Sequence, residues 1–95
     1  MRIRELLWDE DRLEHIARHH IERWEVEEVC WGYSLFTRGR EGKLLVLGQT
    51  AEGRYLFVAL AHKGGRRFKV ITARQMNRAE KRRYRKWKGE HGESP

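Results

Sequence analysis

Five histidines, three tyrosines and a large set of arginines are the residues of this chain that can move protons or hold charge. His15 and His19 lie four apart, so on a helix they share a face at metal-ligand spacing. No carboxylate or cysteine completes a ligand set around them, and Arg18 stands between, so neither a metal nor any other cofactor is expected. Capping or exposure to solvent is the commoner use of such histidines, and His19 can simply cap a helix C-terminus. His62 differs, because it ends an apolar run beside Gly64 and Gly65, next to Lys63 and close to Arg66. The chain holds no Gly-rich nucleotide loop, and spacing alone assembles no Ser–His–Asp set. These residue types do suit one reaction, the attack of an RNA 2′-hydroxyl on its adjacent phosphate. That step needs a group to take the hydroxyl proton, positive charge for the phosphorane and a donor for the leaving oxygen. Arg74, Arg83, Tyr84, His19 and His62 are the candidates, and composition does not divide the roles among them.

The charge is gathered in one stretch. Residues 62–88 carry twelve Lys and Arg against one acid, a net +11, whereas residues 1–61 carry −2 and residues 89–95 another −2. A solvated surface of mixed sign needs no such segregation, although a generally basic surface is the plain alternative. The segregation points to a polyanion, with Lys63, Arg66, Arg67, Lys69, Arg78, Lys81, Arg82 and Arg85 as candidate RNA contacts. The same cations also suit an acidic protein partner. Arg74 has two readings: its planar fork can hold a phosphate, or it can anchor the strand to an acid such as Glu80. Tyr84 and Trp87, with Ala79, are the apolar stripe of that stretch and read first as core anchors rather than stacking platforms.

The elements that must position these groups follow from the periodicity. Asp9 or Asp11 can cap a first helix to about His19, with Leu13, Ile16 and Ala17 inward. A second helix over roughly 22–31 turns Trp24, Val26, Val29 and Cys30 inward and keeps Glu25, Glu27 and Glu28 in water. Strands are expected over 33–38, 43–50, 54–62 and 67–74, the middle runs apolar enough for cover on both faces. Gly64-Gly65 predicts a two-residue hairpin turn, and Gly48 marks a bulge or a close contact. Asn77 and Glu80 have capping-box spacing for a basic helix over 78–88. The fold class is therefore α+β: two N-terminal helices, a small antiparallel meander and a basic C-terminal helix, one domain over 1–88 with a fraying tail over 89–95. The single Cys30 excludes an internal disulfide, and no apolar run approaches the ~20 residues of a membrane span. A soluble, cytoplasmic protein is expected.

Three blocks resemble the BrnT family of ribonuclease toxins, which have a RelE-like fold. In LLWDEDRLEHIARHHI, residues Trp8, Asp9, His19 and Ile21 match the family pattern, while Arg18 replaces Lys and His20 replaces Gly. Around LVLGQTAEGRYLFVALAH the match runs through Gly48, Thr50, Gly53 and Arg54. In KVITARQMNRAEKRRY it runs through Ile71, Ala73, Arg74, Glu80 and Tyr84, with Asn77 in place of the capping Ser or Thr. The resemblance implies a RelE-like, metal-independent ribonuclease toxin held inactive by an antitoxin protein. His15, His20 and His62 depart from the family pattern near the presumed working face, and a relic that binds without cleaving would look similar.

Overall fold

The computed structural model describes residues 3–91. The chain runs β1 (Glu5–Leu7), α1 (Glu10–Arg18), α2 (Arg23–Trp31), β2 (Leu35–Arg38), a short 3-10 turn (Arg40–Gly42), β3 (Lys43–Gln49), β4 (Tyr55–His62), β5 (Arg67–Gln75) and α3 (Arg78–His91). It is an α+β fold of three helices on a five-stranded mixed sheet of order β1-β5-β4-β3-β2. The expected four-strand antiparallel meander is present, and β1 adds to it in parallel with β5. Sequence reading missed β1 because three residues carry no period, and their ladder partners lie at the far end of the chain. α3 runs to His91, so the expected tail from Gly89 is helical that far; residues 92–95 lie outside the described residues.

α1 starts after Asp9, whose carbonyl accepts from the Arg12 and Leu13 N–H groups. It closes in a Schellman turn, with Ile21 N–H donating to Ile16 O and His20 N–H to Ala17 O. His20 is left-handed there, at φ 60°. α2 opens with a capping box between Glu22 and Glu25. Glu25 is buried, against expectation, because Arg54 at the start of β4 donates to both its oxygens at 2.8 and 2.9 Å. Trp24 and Ala17, expected inward, face solvent, while Val26, Val29 and Cys30 fill the core as expected.

Helices α1 and α2 cover one sheet face over a core that includes Ile16, Ile21, Val29, Val46, Leu56, Val58, Leu60 and Val70. On the other face α3 packs Tyr84 onto Leu47 and Met76, with Tyr55, Phe57 and Trp87 around them. The continuous apolar runs of β3 and β4 thus serve two cores. Gly48 is a close contact and not a bulge: a Cβ there would stand 2.3 Å from Ser34 Oγ and 2.7 Å from Val29 Cγ1. The register shift falls instead in β5, where Thr72 opposes Ala59 and Val70 opposes Leu60, leaving Ile71 extra. Arg12 Nη1 donates to the Ile71 carbonyl at 3.1 Å, so α1 lies along the part of β5 that β1 leaves unpaired. The hairpin after β4 has a three-residue loop, 64–66, closed by Lys63 N–H to Arg67 O at 2.9 Å, with Gly64 and Gly65 at positive φ.

Candidate nucleic-acid interface

The root of α3 is fixed first. Glu80 N–H donates to Asn77 Oδ1 and Asn77 N–H to Glu80 Oε1, each at 2.8 Å, a reciprocal capping box. Arg74, at the end of β5, places its fork on the same carboxylate, Nη1 to Oε1 at 2.8 Å and Nη2 to Oε2 at 3.0 Å. Its guanidinium also lies 4.2 Å over the Phe57 ring. Burial, the largest single influence, pushes the Glu80 pKa up; the hydrogen bonds from Arg74 and Asn77 and the Arg74 charge together outweigh it and hold the carboxyl below its ordinary value. Of the two readings of Arg74, the anchor to Glu80 is the contact made in this structure.

The outer face of the helix is different. Arg78, Lys81, Arg82 and Arg85, spaced as one helical stripe, line a groove. Among the described residues none of the four is in an ion pair. Beside them stands Tyr55, with Lys81 Nζ 5.5 Å and the Arg85 guanidinium 5.1 Å from its ring. A hydrogen bond from Arg85, with the charges of Arg85, Lys88 and Lys81, brings the phenol below its ordinary pKa against the opposing effect of burial. Tyr84, edge-on to Tyr55 at 6.0 Å, is only 2% exposed and is a core anchor of this helix. Burial and the neighbouring Tyr55 and Tyr33 raise its pKa. Arg83 is exposed and does not line the groove.

The five candidate catalytic residues do not converge. His62 opposes Phe68 at one end of β4, whereas Arg74 opposes Phe57 five residues away, about 17 Å along the strand. His62 Nε2 is bonded to Gly65 O at 2.7 Å, in the hairpin that also carries Lys63 and Arg66. His19 lies at the end of α1, its ring edge-on to His15 at 5.3 Å. Two of the candidate RNA contacts are already engaged: Arg67 with Glu5 at 3.2 Å and Lys69 with Asp9 at 2.5 Å. Charge counting does not see such pairs, because the acids come from the other end of the chain.

Two residues with suitable chemistry fall outside the five catalytic candidates. Tyr55 could have been found by period: it shares a face with Phe57, and that face meets the basic helix. His15 stands out in the sequence by its metal-ligand spacing to His19 and as a departure from the family pattern near the presumed working face, with no catalytic role of its own. Its Nε2 bonds Thr72 Oγ1 at 2.9 Å, two strand positions from Arg74 and therefore on the same face of β5. Among the described residues no group of three or more His, Cys, Asp and Glu side chains is placed to hold a metal. No described helix is long and apolar enough to cross a membrane.

Neither a family model nor a curated protein sequence matches this chain. Its fold is similar to a solved structure, that of the Brucella abortus ribonuclease toxin BrnT. The TM-score is 0.64 and the identity 18%, over 78% of this chain and 97% of that one. The likeness establishes a BrnT-like fold for the chain.

Proposed function

We propose that the protein is the toxin of a toxin–antitoxin pair, an endoribonuclease that cleaves RNA without a metal by 2′-hydroxyl attack. The observation that carries the reading is the groove of cations on α3 beside Tyr55, in no ion pair among the described residues, on the fold of a ribonuclease toxin. Single-stranded RNA lies along α3 with its phosphates on Arg78, Lys81, Arg82 and Arg85. Arg85 and Lys81 offer charge to the phosphorane, and Tyr55, whose proton their charge loosens, is the group there that can exchange one. Arg74 sits beside this face with its side chain 36% exposed, and adds charge to the phosphate only by releasing Glu80. An antitoxin with an acidic helical segment covers the same cations, with the exposed Tyr33, its ring 4.9 Å from that of Trp87 on α3, as an apolar contact at its margin. The protein acts in the cytoplasm.

A second reading is a relic of the fold that binds RNA or an acidic protein without cleaving. The saturation of Arg74 by Glu80, and the separation of His19 from His62, favour it. Purified protein incubated with RNA in EDTA separates the two. Cleavage that disappears in the Arg78→Glu/Lys81→Glu/Arg85→Glu variant supports the enzyme. Salt-sensitive binding without cleavage supports the relic as an RNA binder, and RNA neither bound nor cut overturns both RNA readings and leaves only the acidic protein as partner. Expression alone in bacteria should slow growth if the toxin reading holds.

A further inference from the structure

A second concave surface lies on the opposite sheet face, where α1 and α2 do not reach. The β2–β3 turn and the β4–β5 loop enclose a cleft of about 430 Å³, within the range of small-ligand sites. Leu44 and Phe68 form its apolar floor, and Arg38, Lys43, His62 and Arg66 line it, with no acid among the lining residues. Gly42 and Gly65 leave its walls as bare backbone; a Cβ on either meets nothing within 4 Å. Lys43 Nζ touches Glu41 at 3.3 Å, but that carboxylate is 83% exposed, so the pair is weak and easily exchanged for a ligand anion. Arg38 and Arg66 are in no ion pair among the described residues. The Gly65 carbonyl can only accept, so Nε2 of His62 carries the hydrogen of their 2.7 Å bond. This fixes the imidazole on the rim, its ring 5.2 Å from that of Phe68, with Nδ1 available to a ligand.

We propose that this cleft binds a phosphorylated nucleoside. The base lies on Leu44 and Phe68 against the His62 ring, and the phosphate is held by the forks of Arg38 and Arg66 with Lys43 adding charge. An apolar floor under a cationic rim selects this ligand over a bare anion, which has nothing to place on the floor, and over an apolar ring without charge. The inference stands apart from RNA cleavage on α3, since it uses none of the same residues. Two sources share the chemistry: a free mononucleotide, and the 5′-phosphorylated end of an RNA strand.

The test is an amide-resolved NMR titration of the full chain with AMP, adenosine and inorganic phosphate. AMP should shift amides of residues 38–44 and 62–68, and bind at least tenfold tighter than adenosine or phosphate. Arg38→Ala/Arg66→Ala should weaken AMP at least tenfold with an unchanged melting temperature, and His62→Ala should weaken it by a smaller factor. The charge-reversed α3 variant of Arg78, Lys81 and Arg85 should bind AMP as the parent does. In that background, a 2′-O-methyl trinucleotide with a 5′-phosphate that binds tenfold tighter than AMP identifies the strand end as the ligand. Equal or weaker binding identifies the free nucleotide. Shifts confined to α3, affinity no better than that of inorganic phosphate, or indifference to the Arg38/Arg66 change would each overturn the proposal.

Discussion

Arg74 shows how much a single side chain can be asked to do. Its two bonds to Glu80 tie the end of β5 to the first turn of α3, and Glu80 in turn closes the capping box with Asn77. Removing the guanidinium leaves a partly buried carboxylate short of its partner, so Arg74→Ala should cost about 1–3 kcal/mol in chemical denaturation. The pH dependence has a definite sign. The Glu80 pKa is lowered from 4.5, so its contribution is complete above that value and is lost as pH falls through the lower folded value. Melting temperatures of the parent should therefore fall on acidification in that window, and those of Glu80→Gln should fall less. Arg74→Lys separates structure from catalysis, because it keeps the charge and loses the fork. Near-parental cleavage with reduced stability would leave Arg74 as an anchor alone. His20 offers a cleaner residue-level prediction. It occupies the left-handed position of the Schellman turn after α1, where a Cβ is strained and glycine is not. His20→Gly should stabilise the protein by roughly 0.5–1 kcal/mol in the same assay.

At the scale of elements, the motifs that carry the resemblance turn out to be joints of the fold. Thr50 Oγ1 accepts the Arg54 N–H at 3.0 Å, Gly53 takes φ 94°, Gly48 admits Ser34 and Val29, and Arg54 holds Glu25. Asn77, Glu80 and Tyr84 start and seat α3. A pattern of this kind is legible in sequence because each member answers a local backbone or packing demand, and it reports the fold more directly than the chemistry. Distance relations are not legible in that way. Nothing in the helix period of α2 says that Glu25 turns inward and Trp24 outward; that depends on Arg54, which arrives from a strand. Arg54→Ala should accordingly cost about 3–5 kcal/mol, since it strands a buried carboxylate. A loss below 1 kcal/mol in urea unfolding would show that water reaches Glu25. The α3 groove, in contrast, was visible as charge spacing. If Arg78, Lys81 and Arg85 each hold one phosphate, reversing all three should flatten the salt dependence of RNA binding by about 2 in log–log slope, at ~0.7 per contact. Reversing Glu27 and Glu28 on α2 should leave that slope unchanged.

The whole molecule is a sheet with cores of unequal depth. Among the described residues, fifteen buried side chains make up the core shared by α1, α2 and the sheet, against three between α3 and the sheet with a ring of half-buried aromatics. The helix that carries the cationic groove is thus the one held by the smaller core. It also repels itself, because Arg78, Lys81, Arg82, Arg83, Arg85 and Lys86 face one acid across three turns. Tyr84 is the largest fully buried side chain holding it down. Tyr84→Phe keeps that ring and should preserve both stability and cleavage, whereas a catalytic hydroxyl would make the same change abolish cleavage in a folded protein. The unequal cores also predict a hierarchy of opening. In native-state hydrogen exchange, α3 amides should open at a lower free energy than those of β3 and β4, as a unit. Screening the self-repulsion should then raise protection in α3 selectively as salt increases, because like charges on one helix lose their mutual cost within a Debye length. If the proposed function holds, salt should therefore pull in opposite directions, stabilising the free helix while weakening RNA binding to it. A polyanion seated on the groove should reproduce the protection at low salt. Exchange of α3 at the same free energy as β4, with no response to salt or polyanion, would show that the helix is seated as firmly as the main core and that its charge density is not a strain on the fold.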